Sequence, residues 1–322
     1  MRALSLENEV LRVSVLVDKG SDVFEFLYKP QDLDFVWLTA NGFRDPRHVL
    51  ANAAGDAAGA FVDSYGGGWQ EVLPNGGAPS MHAGASYGQH GEIALLPWDY
   101  ELMEDNEHAV VVRLSVACLR APLRLVKELR LEAGSARLEV SESVVNESPV
   151  DVRLMWGHHL VFGAPFLAPG ARIALPDGVE GTPHEQRITS GPRRVAPEAF
   201  RWPHTTSPDG NPVDLSVLPD EGRSSDIVYL SGFPEQAWYE VTCRGAGLRV
   251  GWDARVMPYL WFWQEFRGTA DYPWYGRHWN VGLEPFSSYP TNGLADAVAN
   301  GTALELAAGA RRSFSLFAEV MA

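Results

Sequence analysis

The sequence predicts an all-β protein, a large antiparallel β-sandwich with few or no helices. Short runs of alternating apolar and polar residues are separated by turns rich in Gly, Pro, Asn or Asp along most of the chain. No convincing stretch of about ten or more residues carries apolar side chains at helical spacing. Because 46% of the 322 residues are hydrophobic and no linker divides them, we expect one domain over residues 1–322.

The N-terminal half supplies the first predicted strands. Asp18, Lys19 and Gly20 form a turn between two alternating runs, and Gly134 with Ser135 forms a hairpin turn between two later runs. The strands predicted here cover residues 10–17, 23–28, 110–116, 123–131 and 136–144. Residues 39–90 are rich in Gly, Ala, Asn and Pro, and a loop of that length inside a compact domain is usually functional or disordered; its embedded aromatic residues favour function.

The C-terminal half repeats the pattern after a tract of loops around short strands at residues 165–219. The strands predicted here cover residues 227–230, 237–243, 248–252 and 259–263, with a final hairpin over residues 303–320. Residues 294–299 are the best candidate for a short helix.

Charge and composition narrow the possible partners. A net charge of −15 disfavours nucleic acid and anionic lipid as partners. The chain has no run of roughly 18 apolar residues, so no membrane span is expected. No apolar core precedes Glu7 as in a secretory signal, so we expect a cytoplasmic protein. Cys118 and Cys243 lack Cys-x-x-Cys spacing, which predicts buried free thiols and neither a zinc site nor a disulfide.

Ionisable and aromatic side chains concentrate in four distant segments, residues 65–71, 89–92, 155–163 and 275–286. Segments this far apart can converge on one concave sheet, where aromatic rings stack on sugars and charged groups bond their hydroxyls. His158 and His159 are neighbours in a predicted strand, so they point to opposite faces and only one can line a given pocket. Trp69, Trp261 and Trp263 are predicted to form an aromatic platform, since the last two share a strand face.

Over its whole length the chain resembles the galactose mutarotase and aldose 1-epimerase superfamily. The segment from His159 to Phe162 resembles the His-x-aromatic-Phe segment that bears the family's general acid. Gly282-Leu-Glu284 resembles the late segment that bears its general base. His90 followed by glycine is similar to the His-Gly after the family's substrate loop, and residues 306–320 match its last hairpin. The resemblance implies the family's large supersandwich fold.

The resemblance also implies an isomerase that interconverts sugar anomers by acid–base catalysis. Ring opening requires one group to take the proton of the anomeric hydroxyl and another to protonate the ring oxygen. Glu284 would take the first proton and protonated His159 would supply the second, with no cofactor and no metal ion. The substrate-binding residues expected with them are His90, Asp226, Trp69, Gln70, Trp261 and Trp263.

The sequence departs from the family at the sugar-binding segments. Val161 and Gly163 stand where the family often has an aromatic residue and Asn, and the substrate loop lacks an Asn-Arg pair. The acid–base pair is therefore better supported than the sugar pocket. An uncharged sugar is expected, because residues 65–79 contain no Lys or Arg. The arginines that could fold inward to hold a phosphate instead are Arg44, Arg47, Arg267 and Arg277.

Two other functions stay open at this stage. A glycosidase would need two carboxylates roughly 5 to 10 Å apart, with Glu71, Asp253, Glu265 and Glu284 as candidates. A non-catalytic sugar-binding protein would keep the tryptophans without needing the pair of His159 and Glu284. The sequence leaves open which sugar is bound and how many chains assemble.

Overall fold

A computed structural model describes residues 1–49, 59–220 and 222–321, and antiparallel β-strands dominate this part of the chain. The strands are β1 (Ala3–Glu7), β2 (Leu11–Leu16), β3 (Asp22–Tyr28), β4 (Leu33–Asp34), β5 (Trp69–Val72), β6 (Ser80–His82), β7 (Ala85–Tyr87), β8 (Asp99–Asp105), β9 (Ala109–Ala117), β10 (Leu123–Glu132), β11 (Arg137–Asn146), β12 (Val152–Leu154), β13 (Gly157–Gly163), β14 (Arg172–Ala174), β15 (Glu180–Pro183), β16 (Phe200–Arg201), β17 (His204–Thr206), β18 (Pro212–Asp214), β19 (Ser224–Ser231), β20 (Gln236–Cys243), β21 (Ala246–Asp253), β22 (Tyr259–Phe266), β23 (Trp279–Phe286), β24 (Leu304–Leu306) and β25 (Arg311–Met321). The short helices are α1 (Pro46–Val49), α2 (Gly59–Ser64) and α3 (Leu294–Ala299), with 3-10 turns at Lys29–Gln31 and Ile93–Leu95. The all-β prediction is confirmed, and the predicted helix at residues 294–299 is present. None of the described helices has the length and apolar character needed to span a membrane.

Most of these strands belong to two large antiparallel sheets. In the described part of the chain, the larger sheet has 13 strands in the order β1-β2-β3-β5-β13-β23-β22-β19-β15-β16-β17-β18, with β4 paired to β3. The smaller has eight, in the order β14-β20-β21-β25-β11-β10-β9-β8. The strands β12 with β24 and β6 with β7 form two-stranded sheets. Because β13 lies between β5 and β23, segments distant in sequence meet at the centre of the larger sheet.

The two large sheets pack against each other, as the alternation of their side chains requires. Along β10, Leu123, Leu125, Leu129 and Leu131 are buried, whereas every second residue from Arg124 to Arg130 is partly exposed. In contrast, all seven residues of β13 are buried, because one of its faces meets the smaller sheet and the other is covered by loops. Strand β13 is therefore a central strand whose two faces have different environments.

A group of polar side chains, which we call the interlayer network, lies buried between the sheets. Lys127 of β10 donates to Glu71 of β5 at 2.9 Å. His158 of β13 lies between two carboxylates, 3.1 Å from Glu71 through Nδ1 and 3.4 Å from Glu142 of β11 through Nε2. The indole N–H of Trp69 also reaches Nδ1 of His158 at 3.0 Å. Buried charges persist only when they are paired, so this network fixes β13 against the smaller sheet.

Protonation of the interlayer network depends on the competition between burial and charge. Burial lowers the pKa of His158, but Glu71 and Glu142 outweigh it and raise that pKa to about 9. An imidazolium has no acceptor nitrogen, so protonated His158 cannot accept the hydrogen bond from Trp69. It forms ion pairs with Glu71 and Glu142 instead. Burial, together with the charge of Glu71, raises the pKa of Glu142 to about 7. His158 thus has a structural role.

Replacing Lys127 by methionine tests how much the interlayer network stabilises the fold. We expect Lys127→Met to lower the free energy of unfolding by about 3–5 kcal/mol, because removing one partner leaves the Glu71 carboxylate buried with less compensation. Urea denaturation followed by tryptophan fluorescence measures this change. Arg124→Met is the control: it breaks an exposed pair with Glu147, with atoms 2.6 Å apart, and should cost less than about 1 kcal/mol. Equal losses in the two variants would contradict the assignment.

Candidate active site

Strand register places His159 and Glu284 side by side on the larger sheet. In the pairing of β13 with β23, Val161 lies opposite Gly282, and the same register sets His159 opposite Glu284. Directly opposed residues project from one face, and Nε2 of His159 lies 3.7 Å from Oε1 of Glu284. Both side chains are buried. This face is opposite to the one that carries His158, as the alternation of a strand predicts.

The row continues onto the strands at either side. Gln70 of β5 lies opposite His159, and Trp261 of β22 lies opposite Glu284. Trp263 projects from the same face because it is two residues beyond Trp261. Four neighbouring strands therefore contribute to one surface, although their residues are far apart in sequence.

A glycine makes room for the carboxylate on this surface. A Cβ atom at Gly282 would lie 2.2 Å from Oε1 of Glu284, closer than real atoms approach. The residue opposite Gly282 on β22 is Trp263. Glycine at this position therefore allows the Glu284 carboxyl group to fold back along its own strand, beneath the tryptophan ring.

His159 and Glu284 line a cavity of about 470 Å³ that contains several aromatic side chains. Tyr65 directly follows α2, and the centre of its ring lies 5.2 Å from the centre of the His159 ring. The centre of the Trp263 ring lies 5.7 Å from the same point. The aromatic residues lining the cavity are Phe61, Tyr65, Trp261, Trp263, Tyr272 and Trp274. Apolar walls with a few convergent polar groups are typical of small-molecule sites.

His90 is a second histidine in the cavity, with its ring 5.1 Å from that of His159. The backbone N–H of Gly77 donates to Nδ1 of His90 at 3.3 Å, which places the proton of the neutral ring on Nε2. Burial lowers the pKa of His90 well below its ordinary value, and His159 lowers it further. His90 is therefore a neutral hydrogen-bond donor beside the acid–base pair.

Burial also controls the protonation of His159 and Glu284. It lowers the pKa of His159 to about 4 and raises the pKa of Glu284 well above its ordinary value. Both directions run against the expected assignment of a protonated His159 beside an ionised Glu284, because burial favours a neutral imidazole beside a protonated carboxyl group. The two arrangements contain the same number of protons, so either supplies one donor and one acceptor.

Tyr65 adds a polar group that the sequence analysis did not assign. Its side chain is only 3% exposed, and its hydroxyl has no hydrogen-bond partner among the described residues. Burial raises its pKa well above 10, with the charges of Glu284 and Asp22 adding to the effect. A buried, neutral phenol without a partner costs stability unless a ligand or solvent bonds it.

Two residues of the substrate loop do not reach the cavity. Trp69 projects from the face of His158 and belongs to the interlayer network. Gln70 shares the face of His159, but its amide donates to the carbonyl of Gly67 at 2.6 Å and lies beneath the loop. Trp69 is therefore not part of the expected aromatic platform. Trp261 is fully buried, with its ring stacked on that of Phe286 at 3.7 Å, which leaves Trp263 as the partly accessible member.

Asp226 is also placed away from the cavity. Its neighbour Ile227 lines the cavity, so strand alternation directs Asp226 to the other face. One oxygen accepts the backbone N–H groups of Arg194 and Val195, at 3.1 and 3.0 Å, and the other lies 3.4 Å from the guanidinium of Arg193. Asp226 holds the loop before β16, and its expected role in sugar binding has no geometric support.

None of the four arginines considered for a phosphate site lines the cavity in the described residues. Arg44 donates to the carbonyl of Asp63, Arg47 pairs with Asp45, and Arg277 donates to Asn41. The cation that does line the cavity is Arg187, an exposed residue of the loop after β15.

The carboxylates considered for a glycosidase are also dispersed. Glu71 belongs to the interlayer network, and Glu265 accepts both the N–H and the hydroxyl of Thr269. Asp253 pairs with Arg255 at the end of β21. Across the described lining of the cavity, Glu284 is the only carboxylic acid.

The donor set of a metal site occurs away from the cavity. Glu71, Glu142 and His158 each offer one ligand atom within 4.8 Å of the others. Lys127 already neutralises Glu71, so this group is explained by its own ion pairs.

Cys118 and Cys243 are both free thiols, and Cys118 is only partly buried, not buried as expected.

A family profile described as a domain of unknown function, DUF4432, matches residues 1–320. The chain belongs to the DUF4432 family. No curated protein matches it in sequence. Solved structures similar to this DUF4432 chain include a provisionally assigned aldose 1-epimerase from Klebsiella pneumoniae, with TM-score 0.71, 16% identity, and coverage of 96% of this chain and 76% of the other.

Two structures of galactose mutarotase-like proteins are also similar to this DUF4432 chain. The one from Clostridium acetobutylicum has TM-score 0.67 and 13% identity, covering 99% of this chain and 95% of the other. The one from Lactobacillus casei has TM-score 0.60 and 15% identity, covering 99% of this chain and all of the other. The DUF4432 chain therefore has the galactose mutarotase-like fold that its sequence predicted.

A pH titration of the histidine ring signals by NMR tests the environment of His159. We expect its ring to remain neutral down to about pH 5, because burial lowers its pKa to about 4. The His159→Asn variant identifies the resonance by its loss. A midpoint near 6.5 in the folded protein would contradict the burial argument.

Proposed function

We propose that this protein is an aldose 1-epimerase-like enzyme that interconverts the anomers of an uncharged sugar by acid–base catalysis. One observation carries the proposal: an imidazole and a carboxyl group, 3.7 Å apart, line a cavity that contains several aromatic side chains. The anomeric and ring oxygens of a sugar are bonded to the same carbon, so two groups at this spacing can each contact one of them. The similar structures named as mutarotase-like proteins support the same class.

The protonation favoured by burial gives each group a role. Neutral His159 accepts the proton of the anomeric hydroxyl while the Glu284 carboxyl group protonates the ring oxygen, and the bond between that oxygen and the anomeric carbon breaks. The aldehyde group of the open chain then rotates. On closure, His159 returns its proton to the carbonyl oxygen and Glu284 recovers its own from the attacking hydroxyl. No net proton is consumed, and the reaction needs no cofactor or metal ion.

Other groups of the cavity would orient the sugar. Nε2–H of His90 and the hydroxyl of Tyr65 are neutral donors that can bond the oxygens near the reacting carbon. Trp263 presents aromatic surface against which the apolar face of a sugar ring can pack. Glycosidase activity is disfavoured, because no second described carboxylate lines the cavity.

Substitution of the two reacting groups tests the proposal. We expect Glu284→Gln and His159→Asn each to slow anomer exchange by about 10² to 10⁴-fold, because each removes one of the two proton transfers. Exchange is measured by NMR with a panel of unphosphorylated aldoses. His158→Asn is the matched control, since the neighbouring histidine faces the interlayer network; it should lower stability but retain exchange per folded molecule. Unchanged exchange in Glu284→Gln would leave only sugar binding without catalysis.

The pH dependence of the exchange rate distinguishes the roles of the pair. We expect the rate to fall on the acid side at about pH 4, as His159 takes up a proton, and on the alkaline side as Glu284 loses its proton. In the residual activity of His159→Asn the acid limb should disappear, and in Glu284→Gln the alkaline limb should disappear. Loss of the opposite limb in each variant would restore the assignment with a protonated histidine.

A further inference from the structure

A second cavity, of about 570 Å³, adjoins the one that contains the acid–base pair. His184 and Asn292 line both cavities, so the two spaces share a wall. Both volumes lie within the range of about 300–1,000 Å³ that is typical of small-molecule sites. The acid–base chemistry described above does not use this second space.

The shared wall contains a histidine whose proton is held in one position. The backbone N–H of Thr291 donates to the hydroxyl oxygen of Tyr229 at 2.9 Å. The Tyr229 hydroxyl lies 2.8 Å from Nδ1 of His184. Among the described residues, this nitrogen is the acceptor for the proton of the hydroxyl group. The proton of the neutral His184 ring is then on Nε2. Burial lowers the pKa of His184, so the ring is neutral near pH 7.

His184 is therefore a prepared hydrogen-bond donor at the boundary of two cavities. Its side chain is 7% exposed and lines both cavities, so Nε2–H can reach a ligand in either one. The hydrogen bond from Tyr229 fixes the orientation of the His184 ring, so Nε2–H is positioned to bond a ligand that spans the shared wall.

The chemistry of the second cavity selects the kind of ligand. Tyr289 offers aromatic surface, and Glu185, Asp296 and Asn292 offer oxygen acceptors and an amide. No lysine or arginine lines this cavity in the described part of the chain, which disfavours a phosphate or carboxylate group. An aromatic ring among acceptors and amides is suited to a second hydroxyl-rich ring.

We propose that the second cavity is a subsite for another sugar unit, and that the preferred substrate is a reducing saccharide of two or more units. This inference rests on the proposed anomer exchange. The reducing unit lies with its anomeric carbon beside His159 and Glu284, and the next unit lies in the second cavity. His184 contacts the substrate where the two units join.

A bulky side chain placed in the second cavity tests the subsite. Ala299, an exposed residue of α3, lines the second cavity alone, so Ala299→Trp fills it without contacting the acid–base pair. We expect kcat/KM for anomer exchange at the reducing end of maltose, cellobiose or lactose to exceed that for glucose about tenfold, since a second ring adds several hydrogen bonds. Ala299→Trp should remove this advantage and leave glucose exchange unchanged.

Ala295→Trp is the matched control, because Ala295 is an exposed alanine of the same helix that lines neither cavity. It should change neither rate. The Tyr229→Phe variant tests Tyr229 as the residue that positions His184, because it removes the hydroxyl that holds the ring proton of His184 on Nε2. We expect it to raise KM for the disaccharide several-fold with little change in kcat. A disaccharide-to-glucose ratio near one in the unsubstituted protein, or a ratio unaffected by Ala299→Trp, would overturn the subsite.

Saturation-transfer NMR of glucose and of the three disaccharides separates failure of the subsite from failure of the proposed function. If no sugar is exchanged but Ala299→Trp weakens disaccharide binding about tenfold relative to glucose, the subsite stands and the enzymatic proposal fails. If glucose is exchanged and Ala299→Trp affects neither binding nor exchange of disaccharides, the subsite fails and the enzymatic proposal stands. Absence of both exchange and binding would overturn both.

Discussion

The site depends on the fixed register of strand β13, whose two faces have opposite functions. A one-residue slip of this strand would put either Gly157 in the place of His158 or Leu160 in the place of His159. The interlayer network prevents this slip, because His158 is the residue that reaches both Glu71 and Glu142. A buried charge left unpaired by the slip would cost several kcal/mol. The histidine of the interlayer network and the proposed catalytic histidine are thus adjacent in the sequence.

The sequence predicted the features that depend on local alternation. It located most of the long strands, the helix at residues 294–299 and the opposite orientation of His158 and His159. The sequence could not assign Trp69 and Asp226 to a face of the sheet. Side chains alternate along a strand, but which set faces the cavity depends on the register against the neighbouring strands. The alternation of side chains within β19 was one usable signal. Asp226 and Ile227 are adjacent and point to opposite faces, so only one of them can line the cavity.

The residues that the sequence analysis missed come from loops brought together by distant parts of the chain. Phe61, Trp274 and the pair of His184 and Arg187 line the cavity, yet they lie in three separate segments with no shared periodicity. Their positions depend on how β15 and β23 extend the larger sheet from its centre. Aromatic residues in loops were a usable signal for Phe61 and Trp274, whereas nothing in the sequence distinguished His184 from the other histidines.

Protonation shows why residue identity alone did not define the chemistry. A histidine and a glutamate suggest an ion pair in water, but both side chains are buried and their atoms are 3.7 Å apart, too far for a strong hydrogen bond. Desolvation then favours the neutral forms of both groups. A neutral pair suits a neutral sugar, because the reacting groups start without charge and develop it only as protons move. In the proposed mechanism one carboxyl group is sufficient, because His159, kept neutral by burial, provides the proton acceptor that a second carboxylate provides in a glycosidase.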